Sequence, residues 1–296
     1  MASLQTVVIT GGASGIGRSS VVRFLDAGWR VVAADLNQEA GTALLELLPD
    51  AAATGRLVFV RGDVSVEDDV AATVAVATES GNQLACMVNN AGIGGAFGPV
   101  TDLRVEDWDH TFAVLTRGTF LGIKHAARAM QAHGGGSIVN VASLAGLTGD
   151  AGMQAYSVAK AGVVHMSRVF ATELGPDRIR VNCVCPGAIA TPLNPAASRE
   201  FRGSALEKLQ PLPFAGQPEH LAEAIYFLGS DASVFITGQY LAVDGGLEGA
   251  GPRIGEYLGT DARQIALVGV NQGNTGVRTT VHGPAGRPAV ETVASP

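Results

Sequence analysis

Short runs of apolar, mostly β-branched residues recur along the chain, and helical spacing of apolar positions follows most of them. The runs do not alternate with polar residues, as expected for strands buried on both faces of a parallel sheet. They predict seven strands, near residues 5–10, 30–35, 57–61, 85–88, 136–142, 179–185 and 240–243. The stretches between them predict helices near residues 15–28, 37–48, 66–80, 106–132, 154–174 and 218–229.

This order of elements indicates an α/β fold, a Rossmann-type doubly wound parallel sheet of about seven strands with helices on both faces. Such sheets bind ligands beyond the carboxyl ends of their strands. Asn89, Ser143 and Gly187 each follow a predicted strand, so we expect them to gather at that edge. Residues 1–247 hold all these elements and are predicted to form a single domain, since 296 residues need no second core.

A glycine-rich turn follows the first predicted strand and precedes a helix, over Thr10-Gly11-Gly12-Ala13-Ser14-Gly15-Ile16-Gly17. Glycines let the backbone approach a pyrophosphate, and the helix N-terminus offers free N–H groups to phosphates. Asp35 ends the next strand, where a carboxylate suits an adenosine ribose 2′-hydroxyl. A 2′-phosphate would be repelled there, and neither Ser14 nor Leu36 supplies a cation. The pattern predicts NAD as cofactor; an ordinary glycine-rich strand–helix turn is the alternative.

Tyr156 and Lys160 lie four positions apart in a predicted helix, thirteen and seventeen positions after Ser143. At helical spacing both project from one face. A free phenol has a pKa of about 10, and a lysine cation nearby would lower that pKa and let Tyr156 exchange a proton near neutrality. Ser143 would hold a substrate oxygen against the phenol. A tyrosine and a lysine at this spacing usually just lie on the surface of a helix. Their assignment as catalytic residues therefore depends on the other motifs.

With these other motifs, the chain resembles the short-chain dehydrogenase/reductase family over roughly residues 4–247. The matching segments are the glycine turn, Asp63-Val64, Asn89-Asn90-Ala91-Gly92, the Ser143, Tyr156 and Lys160 set, Pro186-Gly187 with Ile189-Ala190-Thr191-Pro192, and Val243-Asp244-Gly245-Gly246. The resemblance implies that NAD contacts Gly11, Ser14, Gly15, Ile16, Gly17, Asp35, Leu36, Asp63, Val64, Asn90, Ala91, Gly92, Tyr156, Lys160, Pro186, Gly187, Ile189 and Thr191.

The resemblance also implies an activity, the reversible NAD(H)-dependent oxidation of a secondary alcohol to a ketone. Tyr156 would be the general acid/base, and Lys160 would lower its pKa and hold the nicotinamide ribose. Ser143 would orient the substrate oxygen. The cofactor carries the hydride chemistry, while the protein supplies orientation and the proton.

The sequence departs from the family's pattern at Leu115. The family usually carries an asparagine there, seven positions after a tryptophan (here Trp108) and three before a glycine (here Gly118). That asparagine is thought to help hold a water that relays protons from the lysine, and leucine has no donor or acceptor. Three hypotheses stay open: backbone carbonyls, Thr116 or Thr111 hold the water; the relay is shortened and the enzyme is slow; or the protein binds NAD with weak or no activity, in a regulatory or structural role.

Residues 188–217 are predicted to form a substrate lid, since they follow a strand end and carry four prolines among apolar residues. A loop that packs on its own core is the alternative. The predicted substrate pocket consists of Gly94, Phe97, Ser143, Leu144, Ala145, Met153 and Leu193. Its apolar character favours a neutral, moderately hydrophobic secondary alcohol or ketone, a class that includes cyclic compounds. Polyols, sugars and charged substrates stay open, since Arg199 and Arg202 offer cations.

Composition excludes several other classes of protein. The net charge of −7 with no basic run argues against a nucleic-acid partner. No apolar stretch reaches the length of a membrane-spanning helix, and Val7 to Ile9 begin a strand rather than a signal peptide. The three cysteines, Cys86, Cys183 and Cys185, predict buried fillers in a reducing cytoplasm, and no metal site is expected.

Rival enzyme classes fit the motifs less well. A serine hydrolase needs a G-x-S-x-G nucleophile elbow, and neither Ser14 nor Ser143 lies in one. A dehalogenase or lyase on this fold would normally lack the glycine turn or the lysine. The six histidines show no metal-ligand spacing.

The segment 248–296 extends beyond the usual family length, with two possible strands at 265–270 and 277–281. Disorder, an added hairpin and an arm that reaches a neighbouring subunit are the alternatives, and we favour the arm. The resemblance implies a homotetramer or homodimer in which the helices at 106–132 and 154–174 form another interface.

Overall fold

The computed structural model describes residues 5–149, 151–193 and 209–251, together with the backbone of 268–270 and 280–282. Seven strands form one sheet. They are β1 (Gln5–Thr10), β2 (Arg30–Asp35), β3 (Leu57–Arg61), β4 (Gln83–Asn89), β5 (Gly136–Val141), β6 (Ile179–Pro186) and β7 (Tyr240–Val243). All seven predicted strands are confirmed to within two residues at either end.

The strands pair in the order β3-β2-β1-β4-β5-β6-β7, and every pair is parallel. The order reverses direction between β1 and β4, the point at which doubly wound sheets bind their ligands. The predicted fold class, a Rossmann-type α/β sheet, is therefore confirmed.

Helices cover both faces of the sheet. They are α1 (Gly15–Asp26), α2 (Gln38–Leu47), α3 (Pro49–Ala53), α4 (Glu67–Thr78), α5 (Val105–Phe112), α6 (Gly118–Gln131), α7 (Gln154–Leu174), α8 (Pro218–Gly229) and α9 (Leu247–Ala250). The predicted bounds of α7 and α8 match these, because polar turns flank long amphipathic stretches. The short helices α3 and α9 were not predicted, since four or five residues give no periodicity.

The helix predicted at 106–132 contains an irregularity. A π-helical segment, Ala113–Arg117, joins α5 to α6, and backbone angles at its flanks stay right-handed helical. Single π turns inside α-helices are rare and occur often at functional sites. Leu115 lies within this segment and is fully buried.

Two apolar layers sandwich the sheet. On one face, Phe24 of α1 and Ile225 of α8 pack on β1 and its neighbours. On the other face, α4, α6 and α7 contribute a second layer that includes Ile123 and Met130. Because burial of apolar surface is the dominant stabilising term, these layers fix the sheet that presents the strand ends.

The chain divides into two compact units, residues 1–249 and 250–296. In the second unit, β8 (Val268–Val270) pairs antiparallel with β9 (Thr280–His282). Both described strands overlap the strands predicted at 265–270 and 277–281. Among the described residues, no helix is both long and apolar enough to span a membrane.

Candidate active site and cofactor site

The glycine turn between β1 and α1 has a shape that only glycine permits at two positions. Gly11 has φ of +62°, in the left-handed region. At Gly17, an added Cβ would lie 1.9 Å from the carbonyl oxygen of Gly11, far closer than any contact allows. The first turn of α1 therefore lies directly against the loop. Ser14 caps α1 without a side-chain hydrogen bond, so N–H groups of that first turn are free of a side-chain cap.

The end of β4 holds this turn in place. The Asn90 side chain donates from Nδ2 to the carbonyl oxygens of Thr10 (2.9 Å) and Gly11 (3.2 Å). In return, the Thr10 hydroxyl accepts hydrogen bonds from the backbone N–H groups of Asn90 (3.0 Å) and Ala91 (3.1 Å). The predicted motifs Thr10–Gly17 and Asn89–Gly92 therefore form one structural unit. Thr10 was not predicted as a site residue, although its place in the glycine motif is a signal for it.

Asp35 lies at the predicted place beside the turn. Its carboxylate accepts a hydrogen bond from the Ala13 backbone N–H (3.1 Å) through Oδ2 and from the Asn37 N–H (3.0 Å) through Oδ1. These bonds aim the carboxylate across the glycine turn. Leu36, the next residue, is exposed and is not a source of positive charge.

The other predicted cofactor residues also lie at the carboxyl edge of the sheet. Asp63 and Val64 follow β3 and line a small cleft that also includes Thr10. Gly187 follows β6, and an added Cβ there would lie 2.7 Å from the Asp244 backbone. Thr191 lies close to Gly15, about 3.5 Å from where a Cβ of Gly15 would be. The structure thus brings both ends of the predicted cofactor site together.

The predicted catalytic residues meet where β5 ends and α7 begins. Ser143 lies two residues after the end of β5, and its hydroxyl accepts a hydrogen bond from the Ala145 N–H (3.1 Å). Tyr156 and Lys160 lie in α7, with the Lys160 Nζ 5.7 Å from the centre of the Tyr156 ring. The buried Lys160 ammonium donates a hydrogen bond to the carbonyl oxygen of Val141 at 2.7 Å. Sequence reasoning missed Val141, because a backbone carbonyl leaves no residue signature.

One electrostatic prediction for this site was wrong. Burial raises the pKa of the Tyr156 phenol above its usual value, and interaction with the Ser143 hydroxyl opposes this rise only in part. Burial also lowers the pKa of Lys160 to about 8, with the nearby thiols of Cys183 and Cys185 opposing it. The expectation that Lys160 lowers the phenol pKa fails because desolvation dominates and the ammonium is bonded to Val141 instead.

Leu115 is fully buried and closely packed. A Cβ added to Gly92 would lie 3.3 Å from the Leu115 Cδ2 atom and 3.8 Å from the Lys160 Nζ, so these three residues adjoin. The two hydroxyls predicted as substitutes for the asparagine have other partners. Thr111 accepts from the Ala96 N–H and donates to the Asp107 carbonyl. Thr116 donates to the Ala159 carbonyl at 3.4 Å.

The residues of the predicted substrate pocket lie in several environments. Gly94 and Met153 adjoin, since a Cβ at Gly94 would be 3.2 Å from the Met153 methyl group. Ala145 is buried next to Ser143, and Leu144 is partly buried. Phe97 and Leu193 are largely exposed, at 77% and 55% of their surface. Much of the predicted lid, including Arg199 and Arg202, lies outside the described residues.

A cavity of about 250 Å³ lies beside the described parts of the predicted lid. Six lining residues come from that segment, namely Ala188, Ile189, Gln210, Leu212, Phe214 and Gly216. The other four, His220, Val243, Asp244 and Gly245, lie outside the predicted lid. The lining is mainly apolar. Elsewhere in the described ranges, no group of histidine, cysteine and acidic residues has the arrangement of a metal site.

Comparison with known proteins identifies relatives over most of the chain. A family model described as enoyl-(acyl carrier protein) reductase matches residues 11–248. The chain is 40% identical over 242 residues to cis-4-hydroxycyclohexanecarboxylate dehydrogenase of Sinomonas cyclohexanicum, covering 82% of this chain and 96% of that protein. It is 36% identical over 253 residues to (+)-borneol dehydrogenase 2 of Salvia officinalis, covering 82% and 88%. The solved structure of ElxO with NADP bound matches with a TM-score of 0.77 at 29% identity, over 83% of this chain and 99% of that one.

The sheet order, the glycine turn and the Ser143, Tyr156 and Lys160 cluster have the arrangement of a nucleotide-dependent oxidoreductase. With these relatives, the chain belongs to the short-chain dehydrogenase/reductase family. The resemblance seen in the sequence is thereby confirmed.

Proposed function

We propose that this protein catalyses the NAD(H)-dependent, reversible oxidation of a secondary alcohol to a ketone. The observation that carries the proposal is the meeting of Ser143, Tyr156 and Lys160 at the sheet edge that also holds the glycine turn and Asp35. A proton-transferring group and a dinucleotide cradle on one edge suit hydride transfer coupled to proton transfer.

The residues of the turn fit a dinucleotide. A Cβ at Gly17 would enter the space of the Gly11 carbonyl, so only glycine lets the first turn of α1 pack this closely against the loop. The N-terminus of α1 offers N–H groups to the phosphates. The Asp35 carboxylate supports NAD over NADP, because a 2′-phosphate beside it would be repelled. The NADP in the related ElxO structure makes this choice a point for direct test.

The chain's own groups divide the proton chemistry among themselves. Tyr156 takes the proton of the substrate hydroxyl during oxidation and returns it during reduction. Ser143 hydrogen-bonds the substrate oxygen and keeps it against the phenol. Lys160 would hold the nicotinamide ribose. NAD(H), when bound by these residues, would supply the hydride chemistry.

A neutral, moderately hydrophobic alcohol fits the described surroundings best, and cyclic alcohols are the first compounds to test. The cavity beside the lid is mainly apolar. Two relatives are named for ring alcohols, a hydroxycyclohexanecarboxylate and borneol. The compound in the first of these names, hydroxycyclohexanecarboxylate, carries a negative charge. The panel of substrates therefore needs a charged ring alcohol beside the neutral ones.

The test measures reduced cofactor by its absorbance with NAD or NADP and a panel of cyclohexanol, borneol, 4-hydroxycyclohexanecarboxylate and open-chain secondary alcohols. Tyr156→Phe is expected to lose nearly all turnover and to keep its NAD binding, which is measured by calorimetry. Tyr226→Phe in α8 is the matched control and should keep full activity, since Tyr226 packs on Phe24 in the core. Full activity of Tyr156→Phe would refute the assignment.

A second candidate, an NAD-binding protein with weak or no dehydrogenase activity, is favoured by one observation. Leu115 is fully buried beside Lys160 and carries no polar atom where the family usually has asparagine. Turnover by Leu115→Asn together with none by the wild-type protein would support this candidate. Equal turnover by both would contradict it.

A homotetramer or homodimer is part of the proposal. Phe120 of α6 and Val158 and Val169 of α7 are exposed apolar residues on the helices for which the resemblance implies an interface. Light scattering at several concentrations gives the mass; a monomer throughout would contradict this part alone.

A further inference from the structure

A row of hydrogen-bonded side chains runs across the sheet beneath the catalytic residues. Asn89 of β4 and Asn140 of β5 are direct neighbours in the strand register. Asn89 Nδ2 donates to Asn140 Oδ1 at 2.8 Å, and Asn140 Nδ2 donates to the Ser167 hydroxyl at 2.9 Å. The Ser167 hydroxyl donates in turn to the Val163 carbonyl at 2.9 Å. All three polar side chains are buried.

This row meets the catalytic helix at a defined place. Ser167 lies seven residues after Lys160 in α7, a distance of about 10 Å at 1.5 Å per residue. Val141, the residue after Asn140, receives the hydrogen bond of the Lys160 ammonium. Strand β5 is therefore joined to α7 at two points, by the Asn140 side chain at one and by the Val141 carbonyl at the other. Two attachments fix both the depth and the direction of the helix over the strand.

Apolar packing alone would specify this placement less sharply. The layer between α7 and the sheet is built largely of aliphatic side chains, whose attraction is not directional. A buried amide or hydroxyl that loses its partner costs about 1–3 kcal/mol, so a shift of α7 along β5 would be penalised at the Asn140–Ser167 bond. Close packing reinforces the row, since a Cβ at Gly122 would lie 1.9 Å from the Asn89 Oδ1 atom.

We propose that Asn140 and Ser167 are positioning residues that act through Lys160. Their hydrogen bond holds α7 at the depth at which the Lys160 ammonium reaches the Val141 carbonyl, with water excluded around it. Lys160 holds this position in the protein without cofactor. The importance of that position for catalysis rests on the proposed function. In the described part of the chain, the titratable groups that face Lys160 are Tyr156 on its own helix and Cys183 and Cys185 on β6, and the test leaves all of them in place.

The sequence offers a direct probe, because it contains three lysines, Lys124, Lys160 and Lys208. Protein labelled with carbon-13 at the lysine ε position gives three signals in an NMR spectrum, and Lys160→Met identifies that of Lys160. The pH titration of this signal is recorded for the wild type, Ser167→Ala and Ser137→Ala. Ser137 is the matched control, a buried hydroxyl of β5 that donates to the Leu228 carbonyl at 2.7 Å, away from α7.

In Ser167→Ala, the Lys160 midpoint is expected to rise by at least about half a pH unit, since a loosened α7 admits water to the ammonium. Ser137→Ala is expected to keep the wild-type Lys160 midpoint, although its melting temperature should fall about as far as that of Ser167→Ala. Asn140→Leu, which removes both amide bonds at similar size, should raise the midpoint at least as far as Ser167→Ala.

Wild-type midpoints in Ser167→Ala and Asn140→Leu would overturn the proposal, as would an equal rise in Ser137→Ala. Turnover on the best alcohol of the panel is measured alongside and should fall in Ser167→Ala but not in Ser137→Ala. A raised midpoint with no turnover in any protein, the wild type included, would support the placement of Lys160 and contradict the proposed function alone.

Discussion

Replacing Lys160 by methionine should make the cofactor-free protein more stable near neutral pH. Burial lowers the pKa of this lysine from 10.5 to about 8. The unfolded chain therefore binds the Lys160 proton more tightly than the folded chain. Below about pH 8, folding carries the full free-energy cost of burying the charged lysine. At 1.36 kcal/mol per pKa unit, that penalty is roughly 3 kcal/mol. Methionine keeps the aliphatic length but gives up the bond to Val141, which offsets about 1 kcal/mol.

The sign of the pH dependence follows from proton binding. Between about pH 8 and 10.5 the folded chain has released a proton that the unfolded chain still holds, so wild-type stability rises with pH. At pH 9 the remaining penalty is roughly 2 kcal/mol. The gain from Lys160→Met should therefore be about 2 kcal/mol at pH 7 and about 1 kcal/mol at pH 9.

Urea unfolding, followed by tryptophan fluorescence at one protein concentration, measures this at both pH values. Trp29 is a suitable reporter because it is buried against Phe24 in the core. Lys124→Met is the control for the chemical change itself; it removes a partly exposed ion pair with Glu67 and should give no gain. A Lys160→Met protein that is less stable than wild type, or whose gain is the same at pH 7 and pH 9, would refute the reasoning.

Three further outcomes are expected. Gly17→Ala should abolish NAD binding in calorimetry and lower the melting temperature, because its Cβ would meet the Gly11 carbonyl; Gly175→Ala, with open space around it, should do neither. Asp35→Asn should raise the preference for NADP over NAD by about tenfold, or 1.4 kcal/mol, whereas Asp26→Asn at the end of α1 should leave it unchanged; an unaltered ratio in Asp35→Asn would contradict the role of the carboxylate. Truncation after Gly251 keeps the Tyr240–Glu248 hydrogen bond and should lower the oligomeric mass; an unchanged mass and unchanged kinetics would count against the arm.

The elements predictable from sequence are those with a long or unbroken pattern. Strands β1 to β6 are apolar runs that polar turns interrupt, and α7 is an amphipathic stretch of 21 residues, so their bounds could be read closely. The π-helical turn at Ala113–Arg117 could not, because one extra residue in a turn leaves the composition of the helix unchanged. The short α3 gave too few residues for periodicity, although Pro49 at its start is a signal in retrospect.

The site followed the same division. Gly17, Asp35 and Tyr156 could be predicted as site residues because the motif depends on each side chain or on the lack of one. The Val141 carbonyl that binds Lys160 could not, since any residue provides a carbonyl. The pKa of Tyr156 was mispredicted for a related reason: spacing along α7 shows that a lysine is near, but burial, which here outweighs charge, depends on the whole fold.

The bonds between Thr10 and Asn90 have a consequence for transplanting this cofactor turn into another protein. The residues that carry the glycine motif are contiguous, yet Asn90, eighty positions later, donates two of the hydrogen bonds that hold their backbone. A grafted segment of β1, the turn and α1 would carry the residues of the motif but not Asn90, whose hydrogen bonds hold the conformation of the turn. A portable version therefore has to include β4 through Ala91, and the smallest transferable unit is the pair of central strands with both loops.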